Sequence, residues 1–534
     1  CAKCGNGKYL PISDEVIRDH VLGKHTLGIY PLLQDETCWF LAADFDKEGW
    51  HDDVRAFLDA CSDRDLPASL ERSRSGGGGH VWIFFEEAIP ASLARKLGSA
   101  ILTSAMDRRH TMGLDSYDRF FPSQDTMPKG GFGNLIALPL QGVPAKQGNS
   151  LFVGEDFTPY PKQWQYLASV RRVPRSCAER IVADASRRGQ VIGVRLSTTD
   201  ETEDEDPWTL PLSKKRAEKP LQGPLPKAMR VVVGNLLYVE KDGLSPQLMN
   251  RLARLAAFQN PEFYSAQAMR LSTFGKPRVI GCAEEFPRHI ALPRGCLDDL
   301  ECFLASHGIL LALQDERCAG TPTEFEFQGT LHSEQEHAVR DLLRFDTGVL
   351  VAPTGFGKTV VAARLIAERK TNTIILVHRR SLLDQWRERL ASFLAMPASE
   401  IGTFSGERKK TCGTVDVALI QSLCRQGEVN DVIANYGHVI VDECHHIPAF
   451  TFERVIRQAK AKYVLGLTAT PIRKDGHHPI IIMQCGPIRV RIRPKEVADR
   501  QSFRQVVVLR STVFALPDQG SELAIQDLYT ALAN

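Results

Sequence analysis

The sequence predicts an α/β protein of several domains, and three observations support this fold class. Its 534 residues exceed what one hydrophobic core holds, because domains average about 150 residues. An acidic and proline-rich segment divides the chain near its middle. On both sides of that segment, short apolar runs alternate with longer stretches of helical periodicity. We therefore expect a mixed α and β unit before the segment and a parallel sheet after it.

Three apolar runs before the acidic segment predict strands, at Cys38–Ala43, Val81–Phe85 and Leu135–Leu140. Helical patterns follow the cap candidates Asp52 or Asp53 and Ser92. The acidic segment itself predicts a linker, because six of the seven residues from 200 to 206 are acidic and five prolines follow before residue 227.

Four short, continuous apolar runs after the linker predict the strands of a parallel sheet buried on both faces. Long helical stretches separate them. Residues 227–325, between linker and sheet, predict a folded piece with amphipathic helices and no recognisable chemistry. The four predicted strands are Gly348–Ala352, Ile374–Val377, Val439–Val441 and Tyr463–Leu467.

The composition is that of a globular protein, with 43% hydrophobic and 24% charged residues, which excludes disordered, fibrous and disulfide-scaffold classes. Because the formal net charge is only +2, any basic surface that binds nucleic acid must be a local cluster of Lys and Arg residues. The 13 cysteines form no dense framework, which indicates reduced thiols and a cytoplasmic location. No apolar run approaches the roughly 18 residues of a membrane span, so no membrane partner is expected.

A glycine-rich loop, APTGFGKT, follows the first strand of the predicted parallel sheet and precedes a helical run. Strand, glycine loop, Lys-Thr and helix are the phosphate-loop arrangement, in which backbone N–H groups at a helix N-terminus bind phosphates. In that arrangement Lys358 reaches the terminal phosphates and the Thr359 hydroxyl holds Mg²⁺. The sequence therefore predicts an ATP site with Mg²⁺, whose loop residues are Thr354, Gly355 and Gly357.

Two further motifs end later strands of the same sheet. Asp442 and Glu443, in the string DECH, suit a magnesium-binding Asp and a water-activating catalytic Glu, and GLTATP follows the next strand. Together with the loop they resemble motifs I, II and III of superfamily-two helicases over about residues 325–500, although Ala352 replaces the first Gly of the general loop. The resemblance implies a RecA-like helicase lobe in which Gln335 reads the adenine.

Helicases of this superfamily close ATP between two RecA-like lobes. No sequence motif of a second lobe, which would supply arginine fingers to the phosphates of ATP, follows residue 500. We therefore expect this chain to bind ATP weakly through Lys358, with negligible DNA-stimulated turnover.

Two aspartates, Asp44 and Asp46, end the first predicted strand, and the period of two places both carboxylates on one face. Such a pair and a third carboxylate bind the two metals of nucleotidyl transfer, although Asp-x-Asp also fits a strand-end turn or a sugar-nucleotide enzyme. The string SGGGGH precedes the second strand, and its glycines allow close approach of a triphosphate that Ser75, Gly76 and His80 would contact.

The order of these motifs resembles the archaeo-eukaryotic primase family. Together with ERSRSGGGGH and the run from Asp115 to GNLIALPLQ, about residues 20–170 are similar to the primase-polymerase domains fused to helicases in TOTE conflict systems. The resemblance implies an RRM-like, mixed α+β catalytic domain that uses Mg²⁺ or Mn²⁺. It places the third metal ligand at Asp118, with Asp125 as the alternative and Asp115 as the third choice.

Cys1 and Cys4 open the chain as Cys-x-x-Cys, which indicates half of a zinc site. The other ligands would lie upstream, as in similar proteins, or be His20 and His25, although His20 also fits a structural role. Candidates for contacts with a template strand are Arg72, Arg74, Arg119, Lys129, Trp82 and Phe132.

The two resemblances thus imply a DNA primase-polymerase joined to an ATP-dependent DNA helicase lobe, with DNA and nucleoside triphosphates as partners and a mobile-element or defence setting. The alternative is a nucleic-acid sensor or remodeller whose primase-like domain binds strands without synthesis. Because the chain starts at a Cys and ends in a helical pattern, we expect both ends to be cut. The predicted parts are a zinc segment (1–26), the primase-polymerase domain (27–195), the linker (196–226), an accessory region (227–325), the helicase lobe (326–500) and the start of a truncated part (501–534).

Overall fold

The computed structural model describes residues 12–109, 112–187, 221, 224–406, 408–425, 428–446, 450–471 and 476–493. The proposed zinc ligands Cys1 and Cys4, the acidic stretch of the predicted linker and the predicted part 501–534 lie outside the described residues. The predictions made for them stay predictions.

A five-stranded antiparallel sheet forms the centre of the N-terminal domain. Its order is β5-β2-β4-β3-β7, and β1 and β6 form a separate pair. The strands are β1 (Gly28–Ile29), β2 (Thr37–Phe45), β3 (Ser69–Arg72), β4 (Gly79–Pro90), β5 (Phe120–Phe121), β6 (Ile136–Ala137) and β7 (Phe152–Val153). The third predicted strand is therefore shorter than expected and belongs to the two-stranded pair.

Helices α2 and α3 cover one face of this sheet, and the candidate site lies on the other face beside a smaller hydrophobic cluster that includes Trp82 and Ile136. Phe57 of α2 and Leu97 of α3 are fully buried in the core between helices and sheet. The helix starts differ from the prediction, because α2 begins after Gly49, whose φ is 79°, and α3 after Pro90, so none of Asp52, Asp53 and Ser92 is the cap. The helices are α1 (Asp14–Val21), α2 (Trp50–Ser62), α3 (Ala91–Met106), α4 (Gly142–Ala145), α5 (Gln163–Ser169) and α6 (Arg175–Arg187).

The accessory region contains a second five-stranded sheet, of order β12-β13-β9-β8-β14, and a separate antiparallel pair of β10 and β11. Its edge strand β14 runs parallel to β8, whereas its other pairs are antiparallel. The elements are β8 (Ala228–Val233), β9 (Leu236–Glu240), α7 (Pro246–Leu255), β10 (Ala257–Gln259), α8 (Pro261–Ala268), β11 (Val279–Gly281), β12 (Glu284–Glu285), β13 (His289–Pro293), α9 (Leu297–Ser306) and β14 (Leu310–Asp315).

The accessory region packs against both of its neighbours. Ala257 and Val279 belong to the hydrophobic core of the N-terminal domain. On the other side, the buried Arg294 donates hydrogen bonds to the carbonyls of Ala459 and Ala461 in the C-terminal lobe. The described residues up to Arg491 thus form one compact unit, although a linker was predicted between two of its parts.

The C-terminal lobe is an eight-stranded sheet of order β18-β17-β19-β16-β22-β23-β15-β24, parallel except for β18. The four predicted strands are present, and their continuous apolar runs are explained by burial on both faces. The elements are α10 (Ser333–Leu343), β15 (Thr347–Val351), α11 (Lys358–Arg369), β16 (Thr373–Val377), α12 (Arg380–Phe393), β17 (Gly402–Ser405), β18 (Arg408–Lys410), β19 (Val415–Leu419), α13 (Ile420–Leu423), β20 (Cys424–Arg425), β21 (Glu428–Val429), β22 (His438–Asp442), α14 (Phe450–Gln458), β23 (Tyr463–Thr468), α15 (Pro479–Cys485) and β24 (Ile488–Arg491).

Two predictions about the whole chain can be compared with the described part. Among the described helices, none combines the length and the apolar character that a membrane crossing requires. All 11 described cysteines are free thiols.

Candidate active sites

Three side chains form a row across one face of the N-terminal sheet. The strand register pairs Asp44 on β2 with His80 on β4, and His80 with Glu71 on β3. His80 Nδ1 lies 3.0 Å from Glu71 Oε2, and His80 Nε2 lies 3.5 Å from Asp44 Oδ1. The row therefore orients the imidazole between a buried carboxylate and a carboxylate predicted to bind metal.

Glu71 is the functional candidate that the sequence analysis missed. It is 2% exposed, and its Oε2 also accepts a hydrogen bond of 2.9 Å from Trp82 Nε1. Burial alone would lower the pKa of His80, but the hydrogen bond to Glu71 and the charges of Glu71 and Asp44 outweigh it, so the pKa is raised. Glu71 is thus the group that raises the pKa of His80 most.

The glycine loop packs tightly against the strand that carries the two aspartates. A Cβ at Gly78 would lie 2.5 Å from the carbonyl oxygen of Phe45 and 3.1 Å from Cα of Asp46. A Cβ at Gly77 would meet only Ser75 Oγ, at 3.7 Å. The loop therefore needs a glycine at 78 for close packing, whereas 77 has room for a side chain.

Gly78→Ala is accordingly expected to destabilise the fold by about 1–3 kcal/mol, the usual effect of overpacking, and to displace Asp46. The melting temperature and metal-dependent nucleotide incorporation should both fall. Gly77→Ala is the matched control and should change neither. Equal behaviour of the two variants would contradict the proposed contact between loop and strand.

The three candidates for the third carboxylate lie in different surroundings. Asp118 accepts a hydrogen bond of 2.7 Å from the backbone N–H of Arg278, and burial raises its pKa. Asp125 pairs with Arg95 at 2.8 Å. Asp115, the third choice, lies 3.7 Å from Arg119, whose guanidinium also pairs with Asp46. Asp115 is therefore the candidate whose cationic partner, Arg119, also contacts one of the two predicted metal-binding aspartates.

The donor set fits a divalent cation. Asp44 and Asp46 supply the carboxylate oxygens that Mg²⁺ and Mn²⁺ prefer, and their side chains are 28% and 59% exposed. The guanidinium of Arg119 forms an ion pair with Asp46, so one of the two carboxylate charges is compensated by a cation of the protein itself. In the part of the chain that the structure describes, no three His, Cys, Asp or Glu side chains already form a metal cluster.

Several residues predicted to bind zinc or a template strand instead make contacts within the protein. His20 is buried, with Nε2 3.0 Å from the Pro139 carbonyl and Nδ1 accepting from the Leu27 N–H, so it serves the fold. Trp82 is 2% exposed, which prevents stacking on a base. Arg72 donates to the carbonyls of Gly148 and Phe157, and the ring of Phe132 lies 5.3 Å from that of Tyr30. Arg74 is exposed, as a template contact would require.

The phosphate loop of the C-terminal lobe joins β15 to α11. Gly355 and Gly357 adopt φ values of 87° and 91°, a conformation that suits glycine. Lys358 Nζ donates 3.1 Å to the carbonyl of Ala352, so the ammonium folds back over the loop. Arg389 of α12 donates 3.2 Å to the hydroxyl of Thr359, the predicted magnesium ligand. Loop, Lys and Thr thus meet at the N-terminus of one helix, as predicted.

Gln335 forms a hydrogen bond with the phosphate loop. Its Nε2 donates 2.7 Å to the carbonyl of Phe356, and its Oε1 accepts from the N–H of His332 in a capping box of α10. A Cβ at Gly357 would lie 2.6 Å from Gln335 Nε2. The adenine-reading role stays a prediction, since here the amide contacts the protein's own backbone.

Asp442 ends β22 beside the phosphate loop. The sheet places one strand, β23, between β22 and β15, so their carboxyl ends lie at the same edge. Burial raises the pKa of Asp442 and the charge of Glu443 adds to this, while the 2.8 Å hydrogen bond from Trp386 Nε1 opposes both. Trp386 is a second residue that sequence reasoning missed.

Glu443 has a positive φ of 49°, which is uncommon for a residue with a side chain and often marks a functional site. Its Oε2 lies 3.2 Å from His445 Nδ1, and the same nitrogen lies 3.1 Å from Thr468 Oγ1. The second and third motifs are therefore linked through His445.

Comparison with known families agrees with this division of the chain. The family described as "TOTE conflict system, Archaeo-Eukaryotic Primase domain" matches residues 1–181. The family described as "Type III restriction enzyme, res subunit" matches residues 328–473.

The chain also resembles individual proteins. It is 32% identical over 170 residues to a DNA 3'-5' translocase XPB2 of Sulfurisphaera tokodaii, covering 32% of this chain and 37% of the relative. It is 37% identical over 149 residues to a DNA 3'-5' helicase XPB of Mycobacterium tuberculosis, covering 27% of each. It thus spans well under half the length of these relatives. The UvsW helicase of bacteriophage T4 superimposes with a TM-score of 0.38 at 15% identity, covering 49% of this chain and 99% of that one.

Proposed function

We propose that this chain, which joins an archaeo-eukaryotic primase domain of the TOTE conflict-system family to a superfamily-two helicase lobe, extends nucleic-acid strands and binds ATP to act on DNA. Two separate nucleotide sites support the proposal. One would lie at Asp44, His80 and Glu71 on the N-terminal sheet and the other at the carboxyl edge of the sheet in the lobe.

The N-terminal site is arranged for nucleotidyl transfer. We assign metal binding to Asp44 and Asp46, with Asp118, Asp125 or Asp115 completing the set. Divalent ions bound there would stabilise the charge that develops on the transferring phosphoryl group. His80, oriented by Glu71, would contact the triphosphate, and the loop at Ser75 and Gly76 would let it approach the backbone.

The lobe is arranged to bind ATP. Lys358 would contact the terminal phosphates, Thr359 and Asp442 would hold Mg²⁺, and Glu443 would orient the attacking water. The names of the two XPB relatives specify DNA translocation and DNA unwinding in the 3'-5' direction. We propose the same class of ATP-driven action on DNA for the protein to which this lobe belongs.

The row of Asp44, His80 and Glu71 is the observation that carries the synthesis proposal, because it sets an imidazole held by a buried carboxylate beside a carboxylate that we assign to metal binding. We expect the chain to extend a primed DNA template with labelled nucleoside triphosphates when Mg²⁺ or Mn²⁺ is added, and not when EDTA replaces the metal.

The same experiment addresses the sensor alternative. Binding of single-stranded DNA without incorporation, at every metal and nucleotide tested, would replace the synthesis proposal by strand recognition.

The free thiols of the described cysteines support a reducing, cytoplasmic location. A mobile-element or defence role is part of the proposal, supported by the family match.

A further inference from the structure

The residues Leu114–Met127, here called the third-carboxylate segment, contain all three candidates for the third metal ligand. The segment has little regular structure, namely a single turn of 3₁₀ helix at Leu114–Asp118 and the two-residue strand β5. Backbone order in such a segment must come from contacts with its neighbours, because its own hydrogen bonds are few.

One side of this segment contacts the metal-binding strand. β5 pairs with β2 at Ala42 and Ala43, and the N–H of Asp44 donates 3.0 Å to the carbonyl of Arg119. Asp115 also pairs with Lys47 at 2.5 Å. The position of the segment therefore determines where its carboxylates lie relative to Asp44.

The other side of the segment contacts the accessory region through Arg278, whose side chain is 1% exposed. Its backbone N–H donates 2.7 Å to Asp118 Oδ1, and its guanidinium donates 2.9 Å to the carbonyl of Ser123. The guanidinium also lies 4.8 Å from the ring centre of Phe263. A buried cation of the accessory region thus binds the middle of the segment.

Gln267 of α8 makes a second set of contacts. Its Nε2 donates 2.8 Å to Asp125 Oδ2, and its Oε1 accepts 3.1 Å from the N–H of Asp125. Its backbone carbonyl accepts 3.1 Å from the Thr126 hydroxyl, and Thr273 donates 3.1 Å to Gln124. These four hydrogen bonds fix residues 124–126 against the accessory region.

From these contacts we infer that the accessory region positions the third-carboxylate segment for metal binding, so that Gln267 and Arg278 are positioning residues of the N-terminal active site. The inference rests on the proposed nucleotidyl transfer. It assigns a role to residues 257–279, which lie beyond the predicted linker and nearer in sequence to the helicase lobe. Removal of residues that orient metal ligands typically weakens metal binding by about 10- to 100-fold.

The test measures Mn²⁺ binding to the full chain by electron paramagnetic resonance, with Gln267→Ala and Arg278→Ala as variants. Gln314→Ala is the matched control, since Gln314 is also a partly buried accessory glutamine with side-chain hydrogen bonds, but it contacts Arg230 and Glu316. We expect at least about tenfold weaker Mn²⁺ binding in both test variants and unchanged binding in the control. Hydrogen exchange of residues 114–127 should quicken in the same two variants.

Fold integrity is checked by ATP binding at the lobe, which all variants should retain. If Arg278→Ala fails this check, Gln267→Ala decides the question, because its side chain is only partly buried. Wild-type Mn²⁺ binding and exchange in a folded Gln267→Ala would overturn the inference. A wild-type chain that binds Mn²⁺ but incorporates no nucleotide would instead contradict the proposed function and leave the positioning result standing.

Discussion

Replacing Asp44 by asparagine is expected to lower metal-dependent nucleotide incorporation by at least about 10³-fold. The reason is that bound metals contribute several kcal/mol of transition-state stabilisation, and about 4 kcal/mol corresponds to this factor. Asparagine keeps the size of the side chain and removes the charge that attracts the cation. The loss should appear in the maximal rate at saturating nucleotide, measured by primer extension.

Asp35→Asn is the control for this change, because Asp35 lies just before the same strand and bonds only Thr37. It should extend primers at the wild-type rate. Asp115→Asn, Asp118→Asn and Asp125→Asn would then identify the third ligand, since only the true ligand should reproduce the Asp44 defect. Full activity of Asp44→Asn would end the interpretation of this sheet face as a transfer site.

The second large effect is expected at the other nucleotide site. Lys358→Ala should weaken ATP binding by about 10- to 150-fold, since a hydrogen bond to a charged group contributes about 1.5–3 kcal/mol. Titration with a fluorescent ATP analogue measures this change. Lys460→Ala, which removes an exposed ammonium from the same lobe, should bind ATP as the wild type does.

Primer extension by Lys358→Ala is expected to be unchanged, because the two sites bind their own triphosphates. The accessory region nevertheless contacts both the third-carboxylate segment and the lobe. Loss of extension in Lys358→Ala would therefore show that nucleotide binding at one site is transmitted to the other.

The strands and motifs could be predicted because their signals are local. Continuous apolar runs mark the strands of the lobe, and strand-end carboxylates follow from the period of two. The row across the N-terminal sheet could not be predicted in full. Glu71 faces His80 only through the pairing of β3 with β4, and nothing in its sequence neighbourhood indicates that register. Trp386 and Asp442 are likewise 56 residues apart.

The contact of the accessory region with the N-terminal domain was missed for a related reason. The acidic, proline-rich stretch predicts separation, whereas the hydrogen bond from Arg278 to Asp118 joins residues 160 positions apart. Buried arginines have no local sequence signal, because an arginine is expected at the surface unless its partners are known. The acidic stretch therefore marks a change in composition, but the parts on either side of it are in contact.

Arg294 bears on how this protein could have been assembled by gene fusion. Its guanidinium is 4% exposed and donates to carbonyls of Ala459, Ala461 and Asn235, while burial lowers its pKa to about 10. A recombination event that transferred the lobe alone would leave those carbonyls without their donor and expose the apolar surface that the two regions share. Transfer of the lobe together with the accessory region would in turn break the bonds of Arg278 to the N-terminal domain, so the three parts depend on one another for their buried partners.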